Sequence, residues 1–286
     1  MAGLALAAVP IATASMAAEP QLISRSDGEF KTPHDIKLSP DGKYLFVADL
    51  GYHAVKVLDP ATLKIVAEIG KGELRSPHDV AFDRAGRLLV ADSGNNRIAI
   101  YRIEGTKGTL VESLNGGLRS PEGVAPGADG TVFATDTFGG GVVAFRDGKP
   151  VARIESADGK KFDRPHDIHL LRDGNLMVVD SGNHRLVTLD QKLNFLSAIG
   201  GAPWNFKDPK YVVDDDAGRL YVADEYNNRV VILAPGDRKI LLAIAGFKTA
   251  TGTDKLNQPE GVAVRGDTLW IADTYNHRIL AFRLGW

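Results

Sequence analysis

A titratable side chain follows each of six regularly spaced prolines in this chain of 286 residues. The prolines are separated by 44, 44, 44, 44 and 50 residues, at Pro33, Pro77, Pro121, Pro165, Pro209 and Pro259. The side chains that follow them are His34, His78, Glu122, His166, Lys210 and Glu260. All but the lysine belong to the classes that bind divalent metal ions when they converge. The spacing therefore predicts a site in which residues from separate repeats meet.

A second landmark repeats in the same order and indicates which elements position these side chains. Each unit contains a short apolar run that ends in aspartate, at Asp49, Asp92, Asp136, Asp180, Asp224 and Asp273. The runs are rich in Val, Ile, Leu and aromatic residues, and Asp-Gly, Ala-Gly or Gly-Asn pairs between them suit hairpin turns. Each unit thus predicts four antiparallel strands. Six such units predict an all-β fold, a six-bladed β-propeller.

The last unit ends after the segment RILAFRL and lacks a fourth strand of its own. Residues 21–27, QLISRSD, resemble the fourth strands of the other units. We expect this N-terminal strand to complete the last blade, because pairing the two ends of the chain leaves no open sheet edge. Residues 19–286 are accordingly predicted to form one domain.

The first strand of every propeller blade lines the central channel, so the residues after the prolines should surround one channel mouth. Alternate blades give two threefold sets, which are His78, His166 and Glu260, and His34, Glu122 and Lys210. We predict that the first set binds a divalent metal, zinc in first place and calcium as the alternative, with no organic cofactor. His34 is expected to act as a fourth ligand or as a proton-transfer group. The competing interpretation is a polar channel mouth without a metal.

Lys210 would repel a metal ion but could hold an anionic substrate, and Glu122 is placed with it among the substrate-binding residues. Other polar positions of the repeat are predicted to be structural. The aspartates Asp35, Asp79 and Asp167 are expected to make hydrogen bonds between blades. The turn arginines and histidines are expected to stabilise turns and to contact neighbouring blades, and they are Arg97, Arg185, Arg229, Arg278, His53, His184 and His277.

The turn segments DSGNNRI, DSGNHRL, DEYNNRV and DTYNHRI share the pattern Asp-x-x-Asn-x-Arg. Together with the preceding Pro-x-[Asp/Gly]-[Val/Ile], this pattern resembles the NHL repeat over residues 30–286. The resemblance implies the six-bladed propeller. It implies no single activity, because such propellers include RNA-binding modules, protein-interaction scaffolds and a metal-dependent lyase.

The words PHDI and PHDV also resemble those of the peptidyl-α-hydroxyglycine α-amidating lyases. Members of that family are secreted six-bladed propellers that hold zinc with three channel histidines, use a nearby Tyr and Arg, and bind a structural calcium. The resemblance implies catalytic roles for Tyr226 and Tyr275. The active-site Arg of that family precedes its repeats in a segment that does not align with this chain, and we predict Arg75 and Arg119, each two residues before a proline in LRSP, as anion-binding substitutes. The chain departs from the family in its histidines, which come from blades one, two and four and not from alternate blades.

Composition narrows the classes of partner and site. A net charge of −2 without a cluster of basic residues gives no basis for nucleic-acid binding. The absence of cysteine excludes disulfides and thiolate metal ligands. Residues 1–18, almost all small or apolar, predict a signal peptide and a secreted or periplasmic protein, with a buried helix as the alternative. No later apolar run is long enough to span a membrane.

Three functions are compatible with these residues. The first is a metal-dependent lyase or hydrolase acting at the channel mouth. The second is a non-enzymatic propeller that binds a small-molecule or peptide ligand, or a protein partner, at the same mouth. The third, a gluconolactonase-like hydrolase, is less favoured because the histidines do not match its Glu, Asn and Asp metal ligands.

Overall fold

The computed structural model describes residues 18–26 and 29–286, which form six four-stranded antiparallel sheets and two small hairpins. The first strand, β1 (Ala18–Arg25), belongs to the sixth sheet. Blade one contains β2 (Pro33–Leu38), β3 (Leu45–Asp49), β4 (Ala54–Leu58) and β5 (Ile65–Ile69). Blade two contains β6 (Pro77–Phe82), β7 (Leu88–Asp92), β8 (Arg97–Glu104) and β9 (Lys107–Leu114). Blade three contains β10 (Val124–Pro126), β11 (Val132–Asp136), β12 (Gly141–Arg146) and β13 (Lys149–Ile154).

The small hairpin β14 (Ser156–Ala157) and β15 (Lys160–Lys161) precedes blade four. Blade four contains β16 (Pro165–Leu170), β17 (Leu176–Asp180), β18 (Arg185–Leu189) and β19 (Phe195–Gly200). Blade five contains β20 (Pro209–Asp214), β21 (Leu220–Asp224), β22 (Arg229–Leu233) and β23 (Ile240–Ile244). A second hairpin, β24 (Gly246–Thr249) and β25 (Gly252–Lys255), accounts for the longer last spacing between prolines. Blade six contains β26 (Val262–Arg265), β27 (Thr268–Asp273) and β28 (Arg278–Gly285), together with β1.

Position within a blade explains the composition of each strand. The second strand of a blade, such as β7, is buried along its whole length because both faces pack against neighbouring blades. A strand of this kind is a continuous apolar run and shows no alternation. The outermost strand β9 alternates between exposed and partly buried residues, because one of its faces meets solvent.

The hydrophobic core is divided among the interfaces between neighbouring blades. Between blades one and two, for example, Phe46 and Val57 pack with Leu88 and Val90. The interface between blades six and one is also apolar, and the Trp270 indole there donates a hydrogen bond to the carbonyl oxygen of Pro60 at 3.0 Å. A closed ring of apolar interfaces fixes the first strand of every blade around the channel.

The two ends of the chain meet in blade six, as the sequence predicted. Strand β1 pairs antiparallel with β28, and Gln21 lies opposite Arg283 and Leu22 opposite Phe282. The strand begins at Ala18, three residues before the expected start. Residues 1–17 of the predicted signal peptide lie outside the described residues. None of the helices in the described part of the chain is long and apolar enough to cross a membrane.

Candidate functional site at the channel mouth

A hydrogen-bond pattern that recurs in four of the blades holds the residue after the proline at the channel mouth. In blade two, Pro77 lies directly opposite Asp92 in the sheet. The Asp92 carboxylate accepts hydrogen bonds from the backbone N–H of Arg75 (2.7 Å), from Asn95 Nδ2 (2.8 Å) and from Arg97 Nε (2.7 Å). Blades four, five and six repeat this arrangement. Each turn arginine thus pairs with the aspartate of its own blade, whereas acidic or carbonyl groups of a neighbouring blade were expected. Its remaining N–H groups do reach the segment that joins the two blades, as Arg97 does at the carbonyl oxygen of Glu73 (3.0 Å) and Arg278 at Asp254 (2.6 Å).

The turn histidines join consecutive blades, which confirms their predicted structural role. His53 occupies the left-handed region, with φ of 56°, and its Nδ1 accepts a hydrogen bond from the Ser76 backbone N–H at 3.0 Å. His184 does the same for Asp208. In blade two an asparagine at this position serves the same purpose, as expected for a residue type that tolerates positive φ.

Three residues of the mouth, His34, His166 and Glu260, converge within a few ångströms. His34 Nδ1 lies 2.7 Å from Glu260 Oε2, and His166 Nε2 lies 3.8 Å from the same oxygen. One nitrogen or oxygen atom from each side chain can be chosen so that all lie within 4.8 Å of one another. All three residues are buried. They form the group among the described residues that has the geometry to hold a metal ion.

Two of these converging atoms lack a hydrogen-bond partner within the described part of the chain. His34 Nδ1 and Glu260 Oε2 are close, but their mutual orientation is not that of a hydrogen bond. A buried polar atom without a partner is costly, and such atoms are rare in native proteins. A cation between these side chains would satisfy both atoms.

His78 faces Glu122 and lies outside this group. Its Nδ1 is 2.7 Å from Ser93 Oγ and 3.0 Å from the carbonyl oxygen of Ser76. Because Ser93 donates its own proton to the carbonyl oxygen of Pro121, the proton of the imidazole is assigned to Nδ1 of His78. His78 Nε2 then carries the lone pair and lies 3.8 Å from Glu122 Oε1.

In the structure, His34 therefore has the position that was expected for His78. His34 stands with His166 and Glu260, whereas His78 was expected there with His34 assisting. The physical reason is the pair of hydrogen bonds that orients the His78 ring, and Glu122 lies between this ring and His166 Nε2, at 3.5 Å from the latter.

Burial and neighbouring charges shift the pKa values of the three histidines in different directions. Burial and the positive charge of His34 hold the pKa of His78 well below its ordinary value. Burial and the positive charge of Lys210 do the same to the pKa of His166. Burial also lowers the pKa of His34, but the negative charge of Glu260 more than offsets this effect and raises it. Burial raises the pKa of Glu122 to about 7.

Tyr211 lies beside two histidines of the site. It is 1% exposed, and its hydroxyl group reaches from blade five across the channel to donate a hydrogen bond to the carbonyl oxygen of His78 at 2.9 Å. Its ring lies perpendicular to the His166 imidazole, with ring centroids 4.9 Å apart. This tyrosine therefore contacts the backbone of one histidine and the ring of the other.

The channel aspartates beneath the mouth have the predicted structural role. Asp79 accepts a hydrogen bond from the backbone N–H of Val124 at 2.6 Å, and Asp167 accepts one from that of Val212 at 2.9 Å. In blade three the equivalent residue is Gly123, where a Cβ atom would lie 2.7 Å from the carbonyl oxygen of His166. A glycine here lets two first strands approach closely beside the site.

Comparison with known proteins supports the repeat that the turns display. The sequence pattern of the NHL repeat matches residues 74–101, 162–189 and 256–282. The protein contains NHL repeats. A human protein, NHL repeat-containing protein 3, is 32% identical over 91 residues, a match that covers 30% of this chain and only 26% of that protein.

Solved structures show the same propeller fold at low sequence identity. A streptogramin B lyase superimposes with a TM-score of 0.66 at 15% identity, covering 96% of this chain and 100% of the lyase chain. An auxiliary nutrient binding protein from Bacteroides thetaiotaomicron superimposes with a TM-score of 0.68 at 16% identity, covering 90% of this chain and 70% of that chain. The chain thus resembles both a streptogramin B lyase and an auxiliary nutrient binding protein in fold.

Blade five departs from the other blades at three positions of the mouth. Lys210 replaces a histidine or glutamate, Tyr211 replaces an aspartate or glycine, and Glu225 stands where four other blades have serine or threonine. Lys210 Nζ lies 3.2 Å from Glu225 Oε2 and 3.5 Å from Asp208 Oδ1, and Arg164 lies on the other side of Asp208. Sequence reasoning missed Asp208, Glu225 and Arg164. The signal available in the sequence was Glu225, which does not match the serine or threonine at the same position of four other blades.

The remaining predicted residues lie at the rim of the NHL propeller. Tyr226 and Tyr275 are 46% and 49% exposed. The Arg75 and Arg119 side chains are exposed, and neither forms an ion pair with the mouth residues in the described structure. Their assignment to anion binding stays a prediction.

Substituting Tyr211 by phenylalanine should cost about 1 kcal/mol of unfolding free energy, because the His78 carbonyl oxygen loses its donor across the channel. Urea denaturation measures this loss. Tyr101→Phe is the control, since that hydroxyl group donates to Glu73 away from the mouth. Only the Tyr211 variant should shift the imidazole NMR signals of His78 and His166. Equal imidazole signals in both variants would show that Tyr211 does not orient the site.

Proposed function

We propose that this NHL propeller holds a divalent metal ion, zinc in first place, between His34, His166 and Glu260, and carries out a lyase reaction at the channel mouth. The observation that supports this proposal is the convergence of two imidazole nitrogens and one carboxylate oxygen, two of them buried without a hydrogen-bond partner.

The donor set suits zinc better than calcium. Two imidazoles and one carboxylate leave coordination positions open, as in catalytic zinc sites. Calcium takes six to eight oxygen ligands, and this group offers the oxygens of a single carboxylate. A bound zinc ion would supply a Lewis acid that polarises a substrate oxygen.

The residues around the proposed metal site would transfer the proton and bind the substrate. Glu122 lies between His78 and His166 with its carboxylate partly open to the mouth, which places it to accept or return a proton of the substrate. Lys210 provides a positive charge for an anionic group. Tyr226 and Tyr275, which the sequence nominated for proton transfer, lie at the rim, and we assign them to ligand contact.

A second candidate is a propeller that binds a small-molecule or peptide ligand without chemistry. The structural likeness to an auxiliary nutrient binding protein and the half-exposed aromatic residues at the rim favour it. For either function we propose a secreted or periplasmic protein, on the support of the apolar residues 1–18.

Metal analysis followed by a turnover assay separates the two candidates. Protein purified without chelators should contain one zinc ion per chain, measured by plasma mass spectrometry, and should release glyoxylate from a peptide ending in α-hydroxyglycine. Protein that neither retains metal nor takes up added zinc would eliminate the metal-dependent lyase and leave the binding propeller. Metal without glyoxylate release would keep the site but reject the amidating-lyase reaction.

A further inference from the structure

A cavity of about 650 Å³ lies outside the mouth site, between the turn of blade four and the segment that enters blade five. The hairpin β14–β15 contributes Lys160 to its lining, and the turn contributes Asn183 and Arg185. The residues that follow β19, up to Lys207, complete the lining. Small-molecule sites have volumes in this range. None of the proposed metal ligands is among the residues that line the cavity.

The turn arginine of blade four lacks a partner that its counterparts in two other blades have. Arg278 of blade six donates from Nη1 to Asp254 of the preceding hairpin at 2.6 Å. Arg97 of blade two donates from Nη1 to Ser113 of the outer strand at 3.2 Å. Arg185 donates from Nε to the aspartate of its own turn and from Nη2 to two carbonyl oxygens, but its Nη1 has no acceptor in the described chain. Its side chain is only 11% exposed, and a guanidinium N–H withdrawn from water without an acceptor is costly.

Two exchanges within the repeat explain the missing acceptor. Lys160 is the counterpart of Asp254, because each directly precedes the residue whose carbonyl oxygen accepts a hydrogen bond from the turn asparagine. Ala198 is the counterpart of Ser113, since each lies opposite the residue two positions after the turn arginine. Blade four thus has a lysine in place of the acid and a methyl group in place of the hydroxyl group. Both residues line the cavity.

The lining of the cavity carries an excess of positive charge. Lys160 and Lys207 form no ion pair within the part of the chain that the structure describes. Arg185 is neutralised by Asp180, 2.7 Å from its Nε, and so provides a free donor and no net charge. Asp158, in the turn of the hairpin, is the acid of the lining. Two lysines against one aspartate leave one positive charge, which favours an anion at the free N–H group.

Two asparagines supply acceptors for hydroxyl groups beside these cations. Asn183 Nδ2 donates to the carbonyl oxygen of Lys161 at 2.8 Å and to the turn aspartate at 2.9 Å. Asn227 makes the same pair of bonds in blade five. These bonds use both amide protons and fix the orientation of each side chain, so the free atom is Oδ1. Both asparagines line the cavity, and neither Oδ1 has a donor among the described residues.

We propose that this cavity binds a small saccharide that carries an oxyanion, with the oxyanion at Arg185 Nη1, Lys160 and Lys207. The hydroxyl groups of the sugar donate to Oδ1 of Asn183 and Asn227. A carboxylate, a sulfate and a phosphate all accept charge-assisted hydrogen bonds from these cations, so the shared chemistry is that of an anionic sugar. This second site is separate from the channel mouth and does not depend on the proposed metal ion.

Calorimetry with glucuronate, glucose 6-sulfate and glucose 6-phosphate tests the proposal and identifies the oxyanion. At least one of them should bind about tenfold or more tightly than glucose, which lacks the charge, and than acetate, sulfate or phosphate, which lack the sugar. The cavity would be rejected as an anion site if no anionic sugar exceeded glucose. Simple anions that bind as tightly as the sugars would overturn the saccharide as the ligand.

Lys160→Asp restores the acid that blade six has at this position and allows it to pair with Arg185. This variant should melt at or above the temperature of the native protein and should bind the anionic sugar at least about tenfold more weakly. Lys207→Gln should weaken binding about 3- to 10-fold. Lys161→Gln is the matched control, because it removes a lysine of the same hairpin that does not line the cavity, and its Kd should stay within about twofold. Unchanged affinity in Lys160→Asp would overturn the site.

Imidazole NMR signals separate this cavity from the channel mouth. His184 lines the cavity, whereas His34, His78 and His166 lie at the mouth. The anionic sugar should shift the signals of His184 equally in zinc-loaded and metal-depleted protein. Shifts confined to the mouth histidines would place the ligand there and reject the cavity. Binding to the cavity by a protein that takes up no zinc would uphold this inference and reject only the metal site.

Discussion

Replacing His34 with alanine should weaken binding of the proposed zinc ion by at least about a hundredfold, because even groups that only orient metal ligands contribute about 10- to 100-fold. His34 Nδ1 is 2.7 Å from Glu260 Oε2 and belongs to the converging group. Replacing His78 should weaken binding by less than about tenfold, since its ring is held towards Glu122 and contributes no atom to that group. Chelator competition measures both affinities.

The turn histidine His277 provides the matched control for these two variants. Its Nδ1 accepts the Thr32 backbone N–H, and asparagine performs this task at the same position of two other blades. His277→Asn should therefore bind zinc normally and melt within about 2 °C of the native protein. If His78→Ala proved as damaging as His34→Ala, both histidines would be ligands, which is the alternate-blade set that the sequence suggested with His34 as its fourth member.

The contrast between His34 and His78 shows what a sequence repeat can and cannot predict. The spacing of prolines and aspartates predicts six blades and a ring of six side chains, because each landmark marks a place in the sheet. It does not predict which ring members meet. That depends on side-chain orientation, which for His78 is set by Ser93 and the carbonyl oxygen of Ser76.

Residues that depart from the repeat pointed to parts of the site that the sequence analysis did not identify. Tyr211 and Glu225 break the pattern of their own positions, and the structure places one under the histidines and the other beside Lys210. Strand bounds show a similar effect. The sequence pattern would start β10 at Pro121, but the strand begins three residues later, at Val124. Gly123 there lies against the backbone of blade four.

Removing β1 should destabilise the propeller strongly. A chain that begins at residue 29 would leave the edge of β28 unpaired and would expose the apolar surface that Leu22 covers. We expect a loss on the order of 3 kcal/mol, a large share of the stability of an ordinary domain. The melting temperature should fall by roughly 10 °C. A chain that begins at residue 18 keeps the strand and should melt like the full protein.

A peptide of residues 18–26 added to the shortened chain should restore part of the lost stability, because an isolated strand can pair with an exposed sheet edge. The same peptide with Leu22→Asp should not, since this side chain packs against the core. Closure of the ring also affects the proposed metal site, because His34 belongs to blade one and Glu260 to blade six. Zinc should therefore bind the shortened chain more weakly, and the active peptide should raise its affinity. Equal zinc affinity with and without β1 would show that the two blades hold their positions without the closing strand.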